Sequence, residues 1–222
     1  MIAALVPAKA LDQAKGRLAA LLPRQDERRQ LALAMLEDVL RALQAVPCLD
    51  LIAVVSPDAD VLGRARALGA EPITEPRQSR GINQALSHGL GVISSADIDA
   101  LLVLLADVPA VTPSEIQSVL DTLPQGRGAV ICPSVARGTS ALALRPPNAF
   151  PFRFGPNSFQ AHKREAAARG IPARVLRIDS LAHDIDGPDD LRDLISRPAE
   201  TATHRLLARL GLADRLQAVN RL

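Results

Sequence analysis

Short apolar runs alternate along this chain with longer segments whose apolar positions recur at helical spacing. Residues 2–8 predict a buried strand, residues 51–56 the next one, and residues 101–106 a third. The last of these, Leu-Leu-Val-Leu-Leu-Ala, is apolar on both faces, as a central strand of a parallel sheet should be. Residues 24–46 carry Leu31, Met35, Val39, Leu43 and Val46 on one helical face, with Arg28, Arg29, Glu37, Asp38 and Arg41 on the other. Helices follow over 58–68, ended by Gly69, and over 81–93, with a short strand over 71–75 between them. Thr112-Pro113-Ser114-Glu115 has the cap, first-turn proline and third-position carboxylate of a helix start. Strands are expected over 128–133, 140–144 and 174–178, and helices over 158–169 and 188–195. From Pro198 onward, Leu206, Leu207, Leu210, Leu216 and Val219 predict one amphipathic tail helix, interrupted near Gly211 and packed on the body or on a second subunit. The repeated strand–helix order predicts a single α/β, Rossmann-like domain over 1–197 with a mostly parallel mixed sheet, followed by the tail over 198–222.

Composition narrows the partners. A chain of 222 residues suits one domain at roughly 150 residues each. Its 48% apolar and 23% charged content is that of a globular protein. A net charge of only +2 argues against a general nucleic-acid or membrane-surface binder, and the lack of Trp and Tyr removes the usual base-stacking platforms. Cys48 and Cys132 form no Cys-x-x-Cys pair, so they read as small buried hydrophobes rather than as a disulfide or zinc site. The first residues lack the pattern of a signal peptide, and no apolar run approaches the ~20 residues of a membrane span, so a cytoplasmic protein is expected.

In an open α/β sheet, ligands gather at the carboxyl ends of the strands, so the residues after each strand matter most. Lys9, Lys15 and Arg17 follow the first strand, Asp107 follows the leucine-rich one, and Asp184 and Asp186 follow the late one. Cations at one strand end and carboxylates at two others suit a polyphosphate with magnesium, which takes hard oxygen ligands from carboxylates and phosphates together. Two such ions could offset charge on the attacking and leaving oxygens of a displacement at phosphorus. Each element also has a plainer reading. The basic residues could be a solvated loop, and Asp184 or Asp186 could cap the proline-initiated helix at 188. Asp107 is harder to explain away, because a charge at the end of an apolar strand is costly unless something pairs with it. No Gly-x-Ser-x-Gly elbow or Gly-x-x-x-x-Gly-Lys-Ser/Thr loop occurs, and the histidines show no metal-ligand spacing. Two further segments complete the candidate site. Arg137-Gly138-Thr139-Ser140 is a small turn with hydroxyls before a strand, and Phe154-Gly155-Pro156-Asn157-Ser158-Phe159 leads into a helix whose free N–H groups could receive an anion. Phe152, Phe154 and Phe159 are expected to fill a small satellite core beneath that loop.

Together these motifs resemble the 2-phospho-L-lactate or phosphoenolpyruvate guanylyltransferases of coenzyme F-420 biosynthesis. The likeness rests on Val6-Pro7-Ala8-Lys9, Ala14-Lys15-Gly16-Arg17-Leu18, Gly81-Ile82-Asn83-Gln84-Ala85-Leu86 and Ala106-Asp107-Val108-Pro109. It continues through Gly138-Thr139, the Phe154 to Phe159 segment with His162, and Asp184-Ile185-Asp186-Gly187-Pro188, and spans about residues 2–195 without the tail. The resemblance implies a nucleotide-diphospho-sugar-transferase-like fold and transfer of GMP from GTP to the phosphate of a small phosphorylated carboxylic acid, with release of pyrophosphate. It implies Asp107, Asp184 and Asp186 as ligands of magnesium, with two ions expected. Lys9, Lys15 and Arg17 become contacts to the nucleotide phosphates, with Lys9 grouped among the catalytic residues. Gly81, Asn83 and Gln84 become part of the base pocket, and Thr139, Gly155 and Ser158 contacts to the acid. It also suggests a hand-off of the product to the next transferase, and the apolar tail permits a homodimer.

The chain departs from the family pattern at Ser140, where Asn is usual, and at Asn157, where Gly is usual. Both lie in acid-binding segments, so 3-phospho-D-glycerate joins 2-phospho-L-lactate and phosphoenolpyruvate as a candidate substrate. Two other readings stay open at this stage: a glycosyltransferase or other sugar-nucleotide enzyme of the same fold, and a non-catalytic nucleotide-binding subunit.

Overall fold

A computed structural model of the protein describes residues 1–79, 81–94, 97–197 and 199–219. Its elements are β1 (Ile2–Pro7), α1 (Gln25–Gln44), β2 (Leu51–Ser56), α2 (Ala59–Ala67), β3 (Glu71–Thr74), α3 (Ile82–Ile93), β4 (Ala100–Leu104) and α4 (Pro113–Thr122). There follow β5 (Gly128–Pro133), β6 (Thr139–Arg145), α5 (Ser158–Ala168), β7 (Ala173–Val175), α6 (Asp179–Ala182), α7 (Pro188–Ser196), α8 (Ala202–Arg209) and α9 (Leu212–Val219). The strands form one sheet in the order β3-β2-β1-β4-β6-β5-β7. Strands β3, β2, β1 and β4 run parallel to one another, β7 runs parallel to β5, and β6 runs antiparallel to both β4 and β5. This reversal brings the first residues of β6 to the same edge as the carboxyl end of β4.

Strict alternation along the central strands divides the core into two layers. Ala4, Val6, Leu102 and Leu104 face α1 and α4, packing on Leu36, Val39, Leu40, Ile116 and Val119. Ala3, Leu5, Leu101 and Val103 face α3 and α5, packing on Leu86, Ile93 and Ala166. Helix α3 crosses β1 closely at Gly89, where an added Cβ would stand 3.0 Å from a Leu5 methyl. The α4 start is the expected capping box: Thr112 Oγ1 accepts from the Glu115 amide, and the Glu115 carboxylate accepts from the Thr112 amide.

Two expectations change. The strand expected over 174–178 is only Ala173–Val175, an exposed edge strand, because the chain turns into α6 soon afterwards. The phenylalanines build no satellite: Phe150, Phe152 and Phe154 are buried in the α3/α5 layer itself, and Phe159 lies half-buried at its rim. The tail forms two helices, α8 and α9, separated by Gly211 in the left-handed region at φ 59°. Leu206, Leu207, Leu212 and Leu216 of this tail pack on Leu18, Leu22, Leu31 and Met35 of the body. Asp38 of α1 caps α8, accepting from the backbone nitrogens of Ala202 and Thr203 at 2.7 and 2.8 Å. The expected packing of Val219 and the placement of residues 198 and 220–222 lie outside the described residues. Cys132 is buried and its thiol is pushed up to about 12 by that burial, whereas Cys48 is only half-buried. Among the described residues, no helix is long and apolar enough to cross a membrane.

Candidate active site

The chain leaves β1 through two short 3-10 turns, and between them Lys15 takes the left-handed conformation at φ 53°. A non-glycine residue there costs about 1 kcal/mol, so its side chain must be held. Its ammonium lies 3.1 Å from Asp107 Oδ2, 3.5 Å from Asp186 Oδ1 and 2.5 Å from the Ile185 carbonyl. With only 9% of its side chain exposed, Lys15 is no solvated surface lysine. Arg17 approaches Asp186 at 3.6 Å, but 80% of its side chain is in solvent and the pair is weak. Lys9 is exposed and lines the cleft above.

Asp107 lies just beyond β4, and its carbonyl accepts from the Ile185 amide at 3.0 Å. That bond ties the 184–186 segment to the end of β4. Carboxylate oxygens of Asp107, Asp184 and Asp186 all lie within 4.8 Å of one another. Asp190 performs the capping of α7, accepting from the amides of Asp186 and Gly187 at 2.9 and 2.6 Å. The Asp184 and Asp186 carboxylates are therefore not used as caps. Burial, and then the neighbouring Asp107 charge, hold the Asp184 carboxyl above its ordinary value. Asp107 Oδ1 is buried without a hydrogen-bond partner. Three clustered carboxylates against one nearly buried ammonium leave surplus negative charge and an unsatisfied oxygen. That donor set fits a hard divalent cation.

The acid-binding candidates lie one strand further along the sheet. The Leu105 amide donates to the Ser140 carbonyl at 3.0 Å, placing the start of β6 beside the Ala106–Asp107 turn. Gly138 fits tightly there: a Cβ would meet Ser134 Oγ at 2.7 Å. Thr139 is buried and its hydroxyl is 3.0 Å from His162 Nδ1. Ser158 is buried at the first turn of α5, and the Phe159 amide donates to the Arg137 carbonyl at 3.3 Å, joining α5 to the same turn. Gly155 is exposed at φ 131°, a conformation that favours glycine. Asn157 also has a positive φ, 56°, where Asn is the best-tolerated substitute for Gly. Its departure from the family pattern is thus explained by backbone conformation, and its side chain makes no cap.

The cleft has a volume of about 490 Å³ and opens over the carboxyl ends of β1, β3 and β4. Lys9, Lys15, Gly81, Asp107 and Asp186 line it. Gln84 is exposed on the first turn of α3. Asn83 turns its amide onto the Phe154 backbone, donating to the carbonyl at 2.9 Å and accepting from the nitrogen at 2.7 Å. This pair fastens the 152–157 loop to α3. Sequence reasoning missed Glu75, Arg77 and Ser79, which also line the cleft. They follow β3, and the rule of reading each strand's carboxyl end would have found them.

A family model described as "Guanylyl transferase CofC like" matches residues 2–221. It includes the tail helices, which the sequence motifs alone had placed outside the resemblance. The chain is 43% identical over 192 residues to the phosphoenolpyruvate guanylyltransferase of Sphaerobacter thermophilus, covering 86% of this chain and 91% of that protein. The enzyme of the same name from Nocardia farcinica is 36% identical, covering 96% and 93%. Among solved structures, a protein of Desulfovibrio desulfuricans G20 described as a nucleotide-diphospho-sugar transferase superposes with a TM-score of 0.78 at 17% identity, over 98% of this chain and 97% of that one. A nucleotidyl transferase of Methanothermobacter gives a TM-score of 0.62 at 17% identity, over 87% and 95%. These structural likenesses establish the nucleotide-diphospho-sugar-transferase-like fold.

Proposed function

Because this chain belongs to the CofC-like guanylyl transferase family and is a nucleotidyltransferase, we propose that it moves GMP from GTP onto the phosphate of a small phosphorylated carboxylic acid. A phosphate oxygen of the acid attacks the α-phosphorus of GTP, a new P–O–P link forms, and the bond to the departing pyrophosphate breaks. The observation that carries this reading is the meeting of Asp107, Asp184 and Asp186 with Lys15 at one strand edge. A phosphate monoester has a second pKa near ~6, so the nucleophile is ionised at neutral pH and needs no general base. The difficulty is bringing two anions together, and the chain's part is positioning and charge neutralisation.

Asp107, Asp184 and Asp186 would hold magnesium, which when bound supplies charge neutralisation for the triphosphate. Lys15 and Lys9 face the same cleft, where they stabilise the charge that builds on the leaving pyrophosphate. Thr139, Gly155 and Ser158 orient the acid beside Asp107. Gly81 borders the base end, whereas Asn83 spends its amide on the Phe154 backbone and so holds the 152–157 loop that carries Gly155.

The names of the relatives support phosphoenolpyruvate as the acid. Ser140 favours 3-phospho-D-glycerate as a second reading, because its buried hydroxyl has no partner and could serve an additional substrate hydroxyl. The product, a mixed phosphoanhydride, is reactive and suits consumption by a following transferase, as in coenzyme F-420 assembly. The test is pyrophosphate release from GTP with magnesium and each of phosphoenolpyruvate, 2-phospho-L-lactate and 3-phospho-D-glycerate, repeated with ATP and CTP. Acid-dependent pyrophosphate from GTP is expected. Release of a nucleoside diphosphate instead, or no turnover with any acid, overturns the reading.

A further inference from the structure

Strand β6 begins out of step with β5: Ala141 pairs with Cys132, but Thr139 pairs with Pro133. Two residues of β6 thus advance against one of β5, which is a β-bulge, and bulges re-aim the side chains beside them. Ala141 lies in the α1/α4 layer, and strict alternation would send Thr139 to the same side. Thr139 instead meets His162 of α5, on the opposite face.

The ring of His162 is completely buried, with the Phe154 ring edge-on at 4.8 Å. Its Nε2 lies 3.0 Å from the Arg153 backbone nitrogen, a group that only donates. Nε2 must therefore be the bare acceptor. A neutral imidazole then carries its one proton on Nδ1 and donates it to Thr139 Oγ1. Burial keeps the ring neutral by pushing its pKa down to about 4. With its oxygen accepting from His162, the Thr139 hydroxyl has its own hydrogen left over, without a partner among the described residues.

We propose that His162 is a positioning residue that makes the Thr139 hydroxyl a hydrogen-bond donor to an anionic oxygen of the acid substrate. A freely rotating hydroxyl could accept or donate; this one is left to donate, so it selects carboxylate or phosphate oxygens. The same ring holds the Arg153 backbone, which ties the loop carrying Gly155 to α5. The inference rests on the assignment of Thr139 to the acid, but the polarity of the hydroxyl can be tested separately.

Two measurements on the full chain decide it. In long-range proton–nitrogen correlation spectra of protein labelled with ¹⁵N-histidine, His162 should show a protonated Nδ1 and a bare Nε2 at neutral pH. The opposite tautomer, or a doubly protonated ring, overturns the proposal. In steady-state kinetics, Thr139→Val and His162→Leu should each raise KM for the acid about tenfold or more, the effect of losing a hydrogen bond to a charged group. KM for GTP and kcat should stay within about threefold, and the double variant should be no worse than the poorer single one. Thr139→Val is nearly isosteric, so an unchanged acid KM in that folded variant also overturns the proposal, even if His162→Leu fails to fold. Failure of the assigned reaction looks different: the wild-type chain would release no pyrophosphate with any acid, and the tautomer would still decide the hydroxyl's polarity.

Discussion

Lys15 and Asp107, 92 residues apart in the chain, meet at 3.1 Å, and the lysine reaches this contact from a left-handed backbone conformation. Its ammonium also lies 3.5 Å from Asp186, so it pairs with two of the three clustered carboxylates. Lys15→Met should therefore lower the melting temperature in chelator-treated buffer, with excess magnesium recovering part of the loss. Turnover should fall about 100-fold, on the scale of removing one electrostatic stabiliser of a transition state. Thermal melts with and without magnesium, paired with pyrophosphate assays, check both halves.

Asp107 has a buried oxygen with no partner, so a cation binding there should stabilise the folded chain by mass action. Titrating magnesium into the wild-type protein should raise its melting temperature in a concentration-dependent manner. Asp107→Asn and Asp184→Asn should remove most of that rise and lower pyrophosphate release by about 100-fold or more. A wild-type melting temperature indifferent to magnesium would count against the metal assignment.

His162 is held near a pKa of about 4, below its ordinary 6.5, chiefly by burial. The folded chain therefore binds fewer protons than the unfolded chain in that interval. Its contribution to stability is complete above pH 6.5 and is lost as pH falls towards 4. The loss amounts to about 3 kcal/mol at most. Urea denaturation at a series of pH values should give a shallower acid slope for His162→Gln than for the wild-type protein.

Asn83 makes two hydrogen bonds to the Phe154 backbone. Asn83→Ala should cost about 1–3 kcal/mol by leaving those groups unpaired. If the loop carrying Gly155 contacts the acid as proposed, the variant should raise KM for the acid more than KM for GTP. The reverse pattern would return Asn83 to the base pocket.

Asp38 caps α8 from the middle of α1, across the interface that seats the tail. Asp38→Ala should destabilise the chain by about 1–2 kcal/mol, the usual cost of a lost cap. At about 2–4 °C per kcal/mol, differential scanning calorimetry would resolve it.

The order of residues was enough to establish the alternating strands and helices, the central place of 101–106 and the capped start of α4, because periodicity and capping are local properties of the backbone. It also singled out Asp107, since a carboxylate at the end of an apolar strand is conspicuous in any fold, whereas Asp184 and Asp186 kept a plain reading as helix caps until the family resemblance was added. Through-space geometry assigned the rest. Asp190 rather than Asp184 or Asp186 caps α7, Asn83 fastens a loop 71 residues away, and a bulge turns Thr139 towards His162. Such outcomes depend on which groups end up within hydrogen-bond distance and away from water. Spacing along the chain carries no record of that, because the strand reversal that brings β6 beside β4 joins residues through packing rather than through sequence.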